Sequence, residues 1–307
     1  MSERYPHIRR YQSFEDGERS LLIRECVSIA FYMRCSLREM AQAVWRAVEV
    51  YRNAVGPQAL GWYADDEGEW QELDEKGWEF NRRKVLDRVG GTICLSGSAE
   101  EVTGYEVRYH GRQLDHPRFP LGPDATSSIV FYLPTEYLEE HGPERVRELA
   151  LELASGLPFS SGHAGLSFLF PEPAPTAITR SIRDDCFRHP GLDIPSASVS
   201  DSMGARLKGV YWLNFLAQPV LGALGGVLGI RSQLPAETTV RELEGERALM
   251  ALGRWPEAGD LEQGRHLPAY RELARVLEPW LYEFRGPARW SGFSQDDMRR
   301  WARRFLD

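Results

Sequence analysis

The segment from Leu21 to Met33 sets the terms for what surrounds it. Leu21, Ile23, Val27, Ile29 and Phe31 alternate along it, with Glu25 the one polar residue in the apolar series. That is the pattern of a strand with one buried side. Ser36-Leu37-Arg38-Glu39 follows as a capping box, in which serine and glutamate reciprocally satisfy first-turn amides. Leu37, Met40, Ala41, Val44, Val48, Tyr51 and Val55 then recur on one helical stripe, and Gly56-Pro57 ends it. This strand–helix unit is the strongest local signal in the chain.

Further along, Tyr105, Val107 and Tyr109 alternate against Glu106, Arg108 and His110, which predicts a strand with one wet face. Ser127 to Leu133 reads as a more central strand, stopped by Pro134. Gly142-Pro143 starts a helix with Val146, Leu149, Ala150 and Leu153 inward, and Gly156-Leu157-Pro158 closes it. Ala164, Leu166, Phe168 and Phe170 make another alternating strand, ended by Pro171, Pro173 and Pro175. Near the C-terminus, Phe293 and Met298 flank Ser294 as a hydrophobic staple. The last helix then turns Met298, Trp301 and Phe305 inward and Arg299, Arg300, Arg303 and Arg304 outward. Strands and helices mix without strict alternation, and neighbouring strands look like hairpins. The expected fold is therefore α+β, a mixed, largely antiparallel sheet packed against helices. Residues 1–307 read as one domain with an internal seam at 171–175, and no repeat or low-complexity tract interrupts them.

A hydrophobic share of 42% and a charged share of 27% in 307 residues exclude wholesale disorder. Forty-five acids against 37 bases leave a net charge of −8. Direct nucleic-acid binding is not expected of such a chain, because that affinity comes from cations on phosphates; a basic protein partner is. Cys26, Cys35, Cys94 and Cys186 are scattered with no C-x-x-C pair, as reduced thiols of a cytoplasmic protein are. Residues 1–20 are polar and carry no apolar core of a signal peptide. Gly209 to Ile230 holds no charge and is long enough to span a bilayer. Asn214, Gln218, Pro219 and four glycines interrupt it, so it reads as a buried helix, a glycine turn and a strand rather than a membrane span.

The motifs of catalysis do not assemble. Gly222, Gly225, Gly226 and Gly229 fit neither G-x-G-x-x-G nor a phosphate loop ending in Gly-Lys-Ser/Thr. His163, His189 and His266 are far apart in sequence, and Asp184-Asp185 point to different sides of any helix or strand, which places them on a helix surface. No serine sits in G-x-S-x-G. Neither a cofactor nor a metal site is expected. The charge pattern says more: Asp65, Asp66, Glu67, Glu69, Glu72, Asp74 and Glu75 precede the first base, Lys76, with Trp62, Tyr63, Trp70 and Trp78 interleaved. Such a stretch is either a solvated hairpin anchored by its aromatics or a surface for a basic partner. In the second reading aromatics supply anchoring area and carboxylates steer encounter. The candidate partner-binding residues are thus Trp62, Tyr63, Asp65, Asp66, Glu67, Glu69, Trp70, Glu72, Asp74 and Glu75.

His189-Pro190-Gly191-Leu192-Asp193-Ile194, Lys208-Gly209-Val210-Tyr211-Trp212-Leu213-Asn214-Phe215-Leu216 and Leu224-Gly225-Gly226 with Arg231-Ser232-Gln233-Leu234 carry a resemblance. Leu252-Gly253-Arg254-Trp255-Pro256, Gly259-Asp260 and Leu267-Pro268-Ala269-Tyr270-Arg271 continue it. Together these are similar to the type VI secretion immunity family for effectors bearing the virus-type replication-repair (VRR) nuclease domain, formerly a bacterial domain of unknown function. The resemblance runs over roughly residues 20–285 and is most specific in the later half. It implies a non-enzymatic cytoplasmic protein that binds a toxic effector, a DNase, and occludes its active site or DNA-binding surface. Placing the contact on Asp65 to Glu75 comes from charge and not from the family. The alternatives are a self-assembling scaffold component of a secretion or defence locus, and a hydrolase built near His189 and the Gly222–Gly229 turn.

Overall fold

The computed structural model describes residues 4–13, 17–87, 91–118, 121–172, 176–235, 238–284, 290 and 292–307. Among them, eleven strands form one sheet whose neighbours all pair antiparallel. They are β1 (Arg10–Ser13), β2 (Arg19–Met33), β3 (Trp62–Ala64), β4 (Trp70–Glu72), β5 (Thr92–Ser96), β6 (Glu106–His110), β7 (Ser127–Pro134), β8 (Ser161–Leu169), β9 (Leu213–Leu216), β10 (Thr239–Leu243) and β11 (Arg247–Ala251). The order is β10-β11-β9-β8-β2-β7-β6-β5-β3-β4, with β1 paired to β2. This is the α+β fold with an antiparallel sheet that the sequence predicts. Part of the anticipated seam, Pro173 to Pro175, lies outside the described residues, and strands from beyond it (β9, β10 and β11) continue the same sheet.

Helices α1 (Leu37–Val55), α2 (Glu75–Leu86) and α3 (Thr135–Gly156) pack against β5, β2 and β7. Ile23, Val27, Ile29, Phe31 and Met33 of β2 join Met40, Val44, Val48 and Tyr51 of α1 and Val146, Leu149 and Leu153 of α3 in one core. At the start of α1, the Ser36 amide donates to Glu39 Oε2 at 2.8 Å, while the Ser36 hydroxyl donates to Asp115. The helix expected from Gly142-Pro143 is present. Gly142, at φ 78°, breaks it from a preceding helical segment that begins at Thr135, immediately after the strand.

The remaining helices are α4 (Thr176–Ser181), α5 (Arg183–Arg188), α6 (Val220–Ala223), α7 (Gly226–Arg231), α8 (Pro268–Leu277) and α9 (Gln295–Ala302). The uncharged segment runs in the opposite order to the one predicted: strand β9 first, then α6, a turn at Gly225 (φ 79°), and α7. Periodicity cannot separate a short buried strand from a short buried helix. None of the described helices is long and apolar enough to cross a membrane.

β2 departs from the expectation of one buried side, since both its faces are buried. It lies between β7 and β8 in the middle of the sheet. The side opposite the helices is covered by chain from elsewhere in the sequence: Ala30 and Tyr32 meet Val199, Met203 and Tyr282, and Cys26, flanked by Tyr132 of β7 and Leu169 of β8, meets Val102. Glu25, the exception in the alternation, is fully buried and accepts from Arg9 Nη2 and Thr135 Oγ1, each at 3.1 Å. Likewise β6 has no wet face: Glu106 and Arg108 are only 7% and 6% exposed. The two form an ion pair, and Arg108 Nη2 donates to the Phe170 carbonyl at 2.7 Å. In α9, Met298 and Trp301 are buried, as is Phe305 beyond it. Arg304, however, turns back over the Trp301 ring at 3.9 Å and donates to the Pro190 carbonyl instead of facing solvent.

Gly191 sits where the cover meets the strand-end loops. Its amide donates to the Ala258 carbonyl at 2.8 Å, and a Cβ there would lie 2.0 Å from the Glu257 carbonyl oxygen. Because the obstruction is backbone, Gly191→Ala is expected to cost at least about 2 kcal/mol, read as a lower urea midpoint at unchanged m-value.

Candidate functional site

The acidic stretch folds as a hairpin at one edge of the sheet. β3 pairs with β5 and with β4, and β4 is the outermost strand. Its carboxylates divide into two groups. Asp65 holds the turn, accepting from the amides of Glu67 and Glu69 at 3.0 and 2.9 Å and from Gln71 Nε2 at 2.9 Å. Asp66 pairs with Lys84 at 2.8 Å, and Asp74 caps α2 by accepting from the Gly77 amide at 2.8 Å. Glu67, Glu69, Glu72 and Glu75 are exposed and have no ion-pair partner among the described residues. Three of α2's cations are already engaged, Arg82 and Arg83 with Glu79 and Lys84 with Asp66.

The aromatics divide in the same way. Tyr63 packs on Phe80 at 5.4 Å and over Gly77. Trp78 lies 6.2 Å from Trp45, with Arg52 stacked on it at 4.1 Å. Trp62 is half-buried, whereas Trp70 on the edge strand is 37% exposed. The sequence thus placed the ten candidate residues on one feature. The structure separates its scaffold (Asp65, Asp66, Asp74 and Tyr63) from its available surface (Glu67, Glu69, Trp70, Glu72 and Glu75). Glu100 and Glu101, which the sequence pattern did not single out, lie across a groove from Trp70 and are likewise exposed without an ion-pair partner among the described residues. Only the pairing of β3 with β5 brings that loop alongside, so no local signal marks it.

A second polar assembly lies beneath the cover of the other sheet face. Strand register aligns Cys94, Arg108, Val130, Ala30, His163 and Asn214 in one row across six strands. Over His163 sits Asp193, 2% exposed, receiving Lys208 Nζ at 2.6 Å and the Tyr211 hydroxyl at 2.9 Å, with His163 Nε2 at 3.6 Å. The His163 and Tyr211 rings stack at 3.8 Å, and Lys208 also donates to the Ile194 carbonyl at 2.8 Å. Burial alone would raise the Asp193 pKa, but the Lys208 ammonium holds it well below the usual carboxylate range. Burial keeps His163 below its ordinary value, a neutral ring at pH 7. The adjoining hollow leaves about 30 Å³ of water-accessible space, room for a water or two. The chemistry of this cluster is that of an anchor tying residues 193–212 to β8.

The other sequence candidates do not converge on a site. Asp184 is exposed on α5, Asp185 pairs with Arg10 at 2.9 Å, and His189 Nδ1 faces the Gly259 carbonyl at 2.7 Å. Among the described residues no three His, Cys, Asp or Glu side chains group as metal ligands. Burial pushes the thiols of Cys26, Cys94 and Cys186 up, away from the reactive thiolate.

A family model described as type VI immunity for VRR-NUC (TsiV) matches residues 43–305. It reaches further toward the C-terminus than the motifs read from sequence. Among solved structures the chain resembles the Pseudomonas aeruginosa T6SS protein PA0821, with a TM-score of 0.78 at 17% identity. The likeness covers 96% of this chain and 87% of that one, and at this identity it is a likeness of fold. The search of curated proteins found no match.

The anchor makes its own prediction. Asp193→Asn leaves the Lys208 ammonium buried without its counter-charge and is expected to cost about 3–5 kcal/mol. Replacing both members, Asp193→Leu with Lys208→Met, should recover more than half of that loss in urea unfolding.

Proposed function

We propose that this chain, which belongs to the type VI immunity family for VRR-NUC, binds a toxic effector delivered by a type VI secretion system and neutralises it by physical occlusion. The family's name supports a nuclease as that effector, and the chain acts on it in the cytoplasm without chemistry of its own. The family match over most of the chain carries this reading. The fold shared with a T6SS protein agrees with it, and so does an anchor whose polar groups already hold one another.

The exposed carboxylates around Trp70 supply the physical means. A nuclease holds DNA through cations, so its substrate surface is basic. Carboxylates held on a short edge hairpin can occupy that surface in place of phosphates, with Trp70 as the desolvated contact. Steering by such charge speeds encounter and fades with salt.

The test is a DNA-cleavage assay with the cognate VRR-NUC effector, with and without a stoichiometric amount of the chain. Loss of cleavage together with a calorimetrically tight complex is the expected result; full cleavage by a saturated complex overturns the reading. Glu67→Lys, Glu69→Lys, Glu72→Lys and Glu75→Lys combined leave Asp65 and Asp74 to hold the hairpin. That variant is expected to slow association at least about tenfold at low salt, converging on wild type at high salt. An unchanged rate at low salt would remove the hairpin from the mechanism.

A further inference from the structure

Between the edge hairpin and the loop after β5 lies a groove of about 280 Å³. Its walls are largely apolar, formed by Leu21, Leu22, Trp70, Val102 and Pro171. Its charged lining is one-sided: Glu100, Glu101, Glu106 and Glu172 against Arg108 alone. The Glu106–Arg108 pair sits at the buried base, and Arg108 Nη1 lies 3.3 Å from Glu172. Glu100 and Glu101 stand exposed at the rim, held by a turn in which both their amides donate to Ser98 Oγ.

An apolar trough that ends in carboxylates beside an exposed indole has the shape of one kind of group: a long aliphatic stem with a cationic head. We propose that this groove receives an arginine side chain of the toxic partner, its methylenes along the walls and its guanidinium between Trp70 and the Glu100–Glu101 rim. Arginine fits better than lysine because a planar guanidinium both stacks on an aromatic face and pairs bidentately with carboxylates. The chain uses the same stacking internally, with Arg52 over Trp78 at 4.1 Å and Arg4 over Trp255 at 4.3 Å. The assignment rests on the immunity reading for the identity of the partner, but the groove's preference for a guanidinium can be measured without it.

The probe is a hexa-arginine peptide, titrated calorimetrically at low salt into the full chain, with hexa-citrulline as its uncharged counterpart. Saturable binding of the arginine peptide alone is expected, weakened about tenfold by Glu100→Gln with Glu101→Gln and by Trp70→Leu. Glu242→Gln with Glu244→Gln, on and beside β10 at the opposite edge of the sheet, removes the same charge and should leave affinity unchanged. Equal weakening by the two charge pairs, or equal binding of citrulline, overturns the groove. In the cleavage assay the Glu100→Gln/Glu101→Gln variant is expected to need about ten times more protein for half inhibition. Wild-type potency in that variant overturns the partner assignment. A wild-type chain that fails to inhibit at all would count against the immunity reading and leave the peptide result standing.

Discussion

The ion pair between Lys208 and Asp193 is the interaction on which the second half of the molecule depends. It takes two charges that are 4% and 2% exposed and satisfies each with a further partner, the Ile194 carbonyl for the lysine and the Tyr211 hydroxyl for the aspartate. A buried pair of this kind contributes little net stability but tolerates no substitute for either member alone. What it provides is position. It holds the 193–212 stretch over His163, from which the chain passes directly into β9 and so extends the sheet. The backbone repeats the arrangement, since Asp193 exchanges hydrogen bonds with Leu166 and Phe168 of β8.

That dependence explains what could and could not be read from the residues alone. The β2–α1 unit was legible because its apolar spacing and its Ser36–Glu39 signal act within a few residues. The double burial of β2 was not, because its cover comes from Val199, Met203 and Tyr282, far along the chain and without periodic pattern. For the same reason Glu106 and Arg108 read as solvent-facing: alternation of charged and apolar residues is the same whether the polar side meets water or a compensating carbonyl. Arg304 misled similarly, since a helix-end arginine and one stacked on Trp301 carry the same sequence context. Asp193 and Lys208 stand inside segments that carried the family resemblance, where they read as part of the fold and not as a pair.

The candidate surface shows the opposite balance. Its composition was plain in sequence, but the division of labour within it was not. Asp65, Asp66 and Asp74 look like neighbours of Glu67, Glu69 and Glu72, yet Asp65 accepts from local amides, Asp74 caps a helix N-terminus and Asp66 pairs with Lys84 of α2. The longer glutamates extend beyond the backbone and are left to solvent. The hairpin can therefore change its exposed charges without losing its turn or its cap. Under the proposed function, that freedom lets a few outward contacts set which toxin is recognised.

The position of the hairpin has one more consequence. β4 is a sheet edge, and an open edge is a template for pairing with another strand. If two copies of this chain met strand to strand along β4, Glu69 and Glu72 of each would be brought beside the same carboxylates of the other. The repulsion opposes that approach before backbone hydrogen bonds can form. The same residues would thus serve as a guard against self-association, keeping the edge vacant among like copies and open to a surface of the opposite sign.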